Sequence, residues 1–255
     1  LAVLRASVVP SVQGHPNTPR RRLLMNNTHP LNYSTFDSPL GTLYVAYSEG
    51  KVRRTDVAES DQQFERSCGE RLGLLAQRVE KPPESLRRAV SRCLQVDGRF
   101  RGQVDLSGLA EFQQRALFKV MEIRKGEIRT YQWIAREIGA PKAMRAVGTA
   151  MARNPIPLLI PCHRVVRADY RIGEYGCGGP DKKRDLLEYE GVDVARLERL
   201  ARQGIRFQGS KNTRIFCLPG CYTGRRMKEE SRVCFPSAEA ARAARFRPCK
   251  VCKPA

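Results

Sequence analysis

Apolar and polar positions along the 255-residue chain change period several times, and each change marks a different kind of element. Between residues 31 and 58 the spacing is that of short strands: Tyr33-Ser34-Thr35-Phe36, a turn at Asp37-Ser38-Pro39-Leu40-Gly41, a second run from Thr42 to Tyr47, and a turn at Glu49-Gly50 before Lys51-Val52. A small β meander is predicted. Helical spacing follows over 61–77 and 83–96. The second of these enters after Pro82-Pro83, aligns Leu86, Ala89, Val90, Cys93 and Leu94 on one face, and stops at Asp97-Gly98. From Glu111 the pattern is helical, with Phe112, Ala116, Leu117, Val120 and Met121 forming one apolar face that ends at Lys125-Gly126.

Residues 131–138 predict a compact helix, Gly139-Ala140-Pro141 a turn, and 143–153 a second helix. Helix, glycine-bearing turn and helix together form a helix-turn-helix signature. In its second helix Ala143, Ala146, Gly148, Ala150 and Ala152 are expected to face outward with little bulk, while Arg145 is a long cation near the start. Small residues alone favour tight packing inside a core; Arg145 turns the reading toward close approach to DNA. Residues 173–179 read as a Gly-rich loop. A helix is expected over 180–189, with Lys182, Lys183 and Arg184 early and Leu186-Leu187 inward, then a charged linker helix over 193–202 and a boundary near Gly204.

Charge narrows the choice of partners. Lys and Arg number 46 against 26 Asp and Glu, a net charge of +20, and the excess is densest over 205–255, where 12 basic residues face 3 acidic ones. Such a surface favours polyanions, because each phosphate contact releases condensed counterions. No run approaches the roughly 18 apolar residues of a membrane span, so a soluble protein with no membrane partner is expected. Residues 1–30, rich in Arg, Pro, Asn and Thr around Met25, a plausible start, read as a disordered tail and carry no functional argument. The nine cysteines do not form the framework of a secreted mini-protein, so a reducing, cytoplasmic and nucleoid-associated setting is expected.

One of those cysteines lies in an unusual stretch, Asn154-Pro155-Ile156-Pro157-Leu158-Leu159-Ile160-Pro161-Cys162-His163-Arg164-Val165. Three prolines stiffen the approach and prevent a helix, holding the thiol in one place. A thiol becomes a nucleophile when its thiolate is stabilised or a base lies nearby. Consecutive residues of an extended segment point apart, so His163 is expected to act on Cys162 through a water or a backbone turn. The dipeptide alone favours another reading, a buried cysteine beside a hydrogen-bonded histidine.

The wider stretch decides between these readings. From Phe112 to Glu190 the chain resembles the O6-alkylguanine-DNA alkyltransferases, whose hallmark Pro-Cys-His-Arg-Val stands here as Pro161 to Val165, after Arg145-Ala146-Val147-Gly148 at the family's spacing. The resemblance implies an α+β fold: a small mixed N-terminal domain over 31–110 and a helical, helix-turn-helix (winged-helix-like) alkyltransferase domain over 111–196. It implies one-turnover transfer of an alkyl group from O6-alkylguanine, and by extension O4-alkylthymine, in double-stranded DNA to Cys162. His163 would deprotonate the thiol through a water, with Glu190 orienting the imidazole. Tyr131 would hydrogen-bond the guanine and help protonate it as it leaves, and Asn154 would tie the active-site turn together. Arg145 would fill the gap left by the flipped-out nucleotide, on a helix whose Ala143 and Gly148 allow close approach. Val165 and Tyr175 would line the base pocket. Gln132 stands where the family commonly has Gly, and the loop Tyr175 to Gly179 is one residue longer than usual. No organic cofactor motif is present, and a monomer is expected.

At the other end, Cys217-x3-Cys221 and Cys249-x2-Cys252, separated by 27 residues, have the spacing of a four-thiolate zinc site. A domain of about 50 residues has too small a core to be very stable alone, so bound Zn2+ would supply folding free energy over 205–255, after a linker at 197–204. Cys234, Cys68, Cys93 and Cys177 are expected in cores. The text around the four cysteines resembles the zinc domain of Ada-type proteins. That resemblance implies either that Cys217 doubles as acceptor of a methyl group from a DNA phosphotriester, or that the domain only holds DNA. An alkylation-sensing transcriptional regulator is the alternative of another class, although no second helix pair for reading sequence is evident over 197–255.

Overall fold

The computed structural model describes residues 30–254 and has the expected α+β architecture. All but Pro30 of the segment expected as a disordered tail lies outside the described residues. Strands β1 (Leu31–Ser38), β2 (Gly41–Ser48) and β3 (Lys51–Val57) form the antiparallel meander. At the second hairpin Glu49 and Gly50 both take positive φ, 51° and 75°, the twist that a two-residue connection between right-handed strands requires. Helix α1 (Asp61–Leu72) then covers one face of the sheet, on which Tyr33, Tyr44 and Ala46 pack against Phe64 and Cys68. The opposite face, with Leu43, Val45, Tyr47 and Val52, joins the main core. This division follows from the two-residue period of a strand.

The expected helix over 61–77 is too long. Gly73, at φ 68°, closes α1 in the left-handed conformation with its N–H on the Gly69 carbonyl, and β4 (Ala76–Arg78) then pairs parallel to β1. Leu72, Leu74 and Ala76 are apolar at a spacing that fits either element; the glycine decides. Helix α2 (Glu84–Arg92) continues as a wider turn over Cys93–Asp97 to Gly98, and β5 (Gln103–Val104) completes a sheet ordered β4-β1-β2-β3-β5.

Helices α3 (Glu111–Met121), α4 (Tyr131–Glu137) and α5 (Met144–Ala152) pack on one another as the helix-turn-helix reading requires. Within α5 the helical period turns Val147, Ala150 and Met151 inward, so Ala150 is buried and not outward as expected. Strands β6 (Arg129–Thr130) and β7 (Val165–Val166) form a short parallel pair, and α6 (Gly179–Tyr189) packs beside it. Residues 197–204, expected as a linker, begin in α7 (Val194–Arg202), a packed helix with Val194, Leu197, Leu200 and Ala201 buried.

The last segment comprises β8 (Phe207–Ser210), β9 (Ile215–Cys217), the one-turn α8 (Tyr222–Arg225), β10 (Arg232–Phe235), α9 (Ala238–Ala243) and β11 (Arg247–Pro248), in a sheet ordered β10-β8-β9-β11. Phe216, Phe235 and Phe246 make its own small core. Cys234 is exposed, not in that core, because strand alternation turns its neighbours Val233 and Phe235 inward.

The meander is fastened to the segment before Cys162 through β3. Thr55 donates its backbone N–H to the Pro155 carbonyl at 3.0 Å and its hydroxyl to the Pro157 carbonyl at 2.7 Å. Thr55→Val leaves the buried Pro157 carbonyl without its donor, a loss of about 1–3 kcal/mol. The urea midpoint of unfolding is expected to fall with its slope unchanged; an unchanged midpoint would show that β3 does not hold this turn.

Candidate active site and metal centre

Three prolines and a left-handed Leu158, at φ 69°, fold residues 154–161 into a compact turn. Asn154 cross-links it: its Oδ1 accepts from the Ile156 N–H at 3.0 Å and its Nδ2 donates to the Ile160 carbonyl at 2.9 Å. The same Nδ2 lies 3.1 Å from the Cys162 sulfur. Cys162 is only 4 % exposed and opens a single 3-10 turn, Cys162–Arg164, where the sequence pointed to an extended strand. Burial pushes the thiol up, while Asn154 donating to the sulfur and the Lys183 charge pull it down. The resting side chain is therefore a thiol whose anion already has a donor in place.

The tight turn sends His163 inward, where its Nε2 lies 3.0 Å from Glu190 Oε1. Since a carboxylate only accepts, the imidazole proton resides on Nε2, and Nδ1, which has no hydrogen-bond partner among the described residues, keeps its lone pair. Burial holds His163 below its ordinary pKa, against the opposing pull of Glu190, so the ring is neutral at neutral pH. His163 is the only histidine among the described residues.

Glu190 follows the C-terminal end of α6 and faces more than the imidazole. Arg164, almost wholly buried, donates Nε to Oε2 at 2.8 Å and NH2 to Oε1 at 2.6 Å, and its NH1 reaches the Ile123 carbonyl at 2.6 Å. Burial would raise the Glu190 carboxyl, but hydrogen bonds and charge from His163 and Arg164 outweigh it and hold the pKa at about 2. A buried guanidinium stripped of its carboxylate costs about 3–5 kcal/mol, so Arg164 needs Glu190 as much as His163 does. Sequence reasoning treated Arg164 only as a letter of the motif; a lone arginine inside an otherwise apolar run was the available sign of burial.

Lys183 was also missed, because basic residues early in a helix ordinarily face water. Its Nζ is buried, donates to the Val165 carbonyl at 2.6 Å and lies 5.9 Å from the centre of the Tyr131 ring. Burial brings its pKa down to about 8. Tyr131 is the first residue of α4, whose N-cap Thr130 accepts the Trp133 N–H at 3.1 Å. Burial raises the Tyr131 phenol, and negative charge at Cys162 and Glu174 adds to the effect, so it stays protonated and able to donate.

Cys162, Asn154 and the end of α5 line a cavity of about 500 Å³ whose walls also include Arg54 and Cys177. Val165 and Tyr175, expected to line the base pocket, are not among the residues of this cavity wall. Val165 is wholly buried in β7, and Tyr175 packs edge-on against His163 with ring centres 6.4 Å apart. Arg145 is exposed on α5 beside Met144 and Ala146; Ala143 caps the helix, and a side chain at Gly148 would meet open space. This outer face therefore presents one long cation on a shallow surface.

Cys217, Cys221, Cys249 and Cys252 bring their sulfurs within 4.8 Å of one another, all buried. Four sulfurs at about 2.3 Å from a central zinc ion stand roughly 3.8 Å apart, so the cluster fits a tetrahedral thiolate site. The backbone N–H of Leu218 points at the Cys252 sulfur and that of Val251 at the Cys249 sulfur, both at 3.4 Å, as anionic ligands favour. No helix among the described residues is long and apolar enough to cross a membrane.

Comparison with known proteins agrees with this layout. Residues 111–192 match the family model described as 6-O-methylguanine DNA methyltransferase, DNA binding domain, and residues 195–255 match the metal binding domain of Ada. A methylated-DNA–protein-cysteine methyltransferase of Rattus norvegicus is 34% identical over 204 residues, 71% of this chain and 90% of the relative. One of Mycobacterium leprae is 41% identical over 165 residues, 61% of this chain and 90% of the relative. The crystal structure of Mycobacterium tuberculosis OGT in complex with DNA matches with a TM-score of 0.52 at 31% identity, covering 66% of this chain and 99% of that one. With relatives matched over nine-tenths of their length and a Cys162 turn built as described, the chain belongs to the methylated-DNA–protein-cysteine methyltransferase family.

Proposed function

We propose that this protein repairs double-stranded DNA by taking the alkyl group of O6-alkylguanine, and of O4-alkylthymine by the same chemistry, onto Cys162. The observation that carries this reading is the Asn154 amide at 3.1 Å from the Cys162 sulfur, beside a His163–Glu190 pair that leaves one ring nitrogen free to take a proton. In the reaction the thiol proton passes through a water to His163 Nδ1, and the imidazolium so formed is stabilised by Glu190. The sulfur attacks the alkyl carbon, a C–S bond forms and the C–O6 bond breaks. Its electron pair stays on the guanine, which Tyr131 helps protonate. The thioether product has no easy leaving group, so each molecule reacts once.

The alkylated nucleotide must leave the stack, at a cost of a few kcal/mol, and Arg145 on the shallow face of α5 is placed to fill the gap. Four thiolates would hold Zn2+, which supplies charge balance and rigidity to the last segment. Cys217 is 0 % exposed, with its knuckle covered by the catalytic half, which supports a holding role over a second acceptor role. A monomer acting on chromosomal DNA in a reducing cytoplasm fits these free thiols.

Intact-protein mass spectrometry after incubation with O6-methylguanine DNA is expected to show one added methyl group, mapped to Cys162 and absent from Cys162→Ala. Transfer that survives that substitution would sink the proposal. For Arg145→Ala, transfer from duplex DNA is expected to fall by about tenfold or more, because the unstacking energy it offsets is a few kcal/mol. Transfer from a free alkylguanine base should be unchanged; an equal loss on both substrates would deny Arg145 a role in extrusion.

A further inference from the structure

The cysteine knuckles lie directly on the segment that leads into α4. The chain's sole tryptophan, Trp133, donates its indole N–H to the Cys252 carbonyl at 2.8 Å. Glu127 accepts the Tyr222 N–H at 3.1 Å with one carboxylate oxygen and holds Arg129 at 2.9 Å with the other. Ile128 donates its N–H to the Gly220 carbonyl at 3.3 Å, and the contact is so close that a Cβ on Gly220 would fall 1.9 Å from the Ile128 side chain. Lys253 pairs with Glu137 at the far end of α4. Residues 127–133 thus touch both knuckles, one at Gly220–Tyr222 and the other at Cys252.

The same segment runs into the alkyl-transfer site. Arg129 and Thr130 pair with Val165 and Val166, directly after the Cys162–Arg164 turn. Thr130 caps α4, and Tyr131 and Trp133 share its first turn, so a shift of Trp133 is a shift of Tyr131. A cation would hold the four sulfurs together as thiolates and so fix the shape of the knuckles; without it the sulfurs would take up protons, lose their common centre and leave the loops they close free to come apart.

We propose that the four-cysteine centre is a metal-dependent clamp on the catalytic half, with Trp133 and Glu127 as positioning residues that set Tyr131 against Cys162. The proposal rests on the reading of Cys162 as alkyl acceptor and adds a dependence of that step on the metal. It accounts for a metal-binding segment whose four sulfurs are buried and whose knuckles rest on the catalytic half at Gly220 and Cys252.

The test uses the full-length, zinc-loaded protein and the free base O6-benzylguanine, so that DNA affinity does not enter. Removing the metal with a chelator is expected to shift Trp133 emission to the red, as the indole loses the Cys252 carbonyl and meets water. Transfer to Cys162 at saturating base should slow by about tenfold or more, since misplacing a catalytic group by ~1 Å costs up to about a hundredfold. Adding zinc back should restore both. Trp133→Phe keeps the packing ring but lacks the N–H. Its maximal rate should fall with little change in the half-saturating base concentration, and chelation should slow it less than it slows the wild type. Unchanged Trp133 emission, a metal-free protein that transfers at the loaded rate, or a Trp133→Phe protein as fast as wild type overturns the clamp. A zinc-loaded protein whose Cys162 takes no alkyl group from the base, and none from O6-methylguanine DNA, refutes alkyl transfer itself.

Discussion

A single buried carboxylate, Glu190, fixes a cation and a future cation at once. One side is the neutral imidazole of His163, whose N–H needs an acceptor, and the other is the guanidinium of Arg164, whose charge does not tolerate burial without that carboxylate. Burial would raise the Glu190 carboxyl, but hydrogen bonds and charge from His163 and Arg164 together hold it ionised, at a pKa of about 2, so Glu190 accepts from His163 at any physiological pH. The tautomer of the histidine follows from that, and the free Nδ1 lone pair follows from the tautomer.

Around this pair the fold supplies rigidity. The turn over 154–161 is closed by Asn154 and pinned from the meander by Thr55, so the Cys162 sulfur faces its donor amide before any substrate arrives. Lys183 is spent in the same way, joining α6 to β7 and adding positive charge near the thiol. Preorganised donors of this kind are effective because they are in place before charge develops on the sulfur and need no reorganisation when it does. The cysteine centre extends the support outward, from Cys252 to Trp133 and so to the helix that carries Tyr131.

Much of this was legible in the residues themselves. The proline-stiffened stretch before Cys162, the two helices around Gly139 and the paired cysteine spacings each have a local physical cause, and each is in the structure. What escaped were consequences of distant contacts. Arg164 and Glu190 lie 26 positions apart, and Trp133 and Cys252 lie 119 apart, and no periodicity encodes such meetings. Lys183 resembles a solvent-facing cation until α6 is placed against β7. The overlong first helix has a different origin: Leu72, Leu74 and Ala76 suit a helix or a strand, and only the left-handed Gly73 separates them.

The protonation state of His163 tests the account most directly, and nitrogen-15 chemical shifts of its imidazole in the full-length protein at neutral pH report it. The account predicts a neutral ring with the proton on Nε2 and Nδ1 bare. A doubly protonated imidazolium, or a neutral ring with its proton on Nδ1, would contradict it, because neither leaves a lone pair on Nδ1 to receive the proton of Cys162.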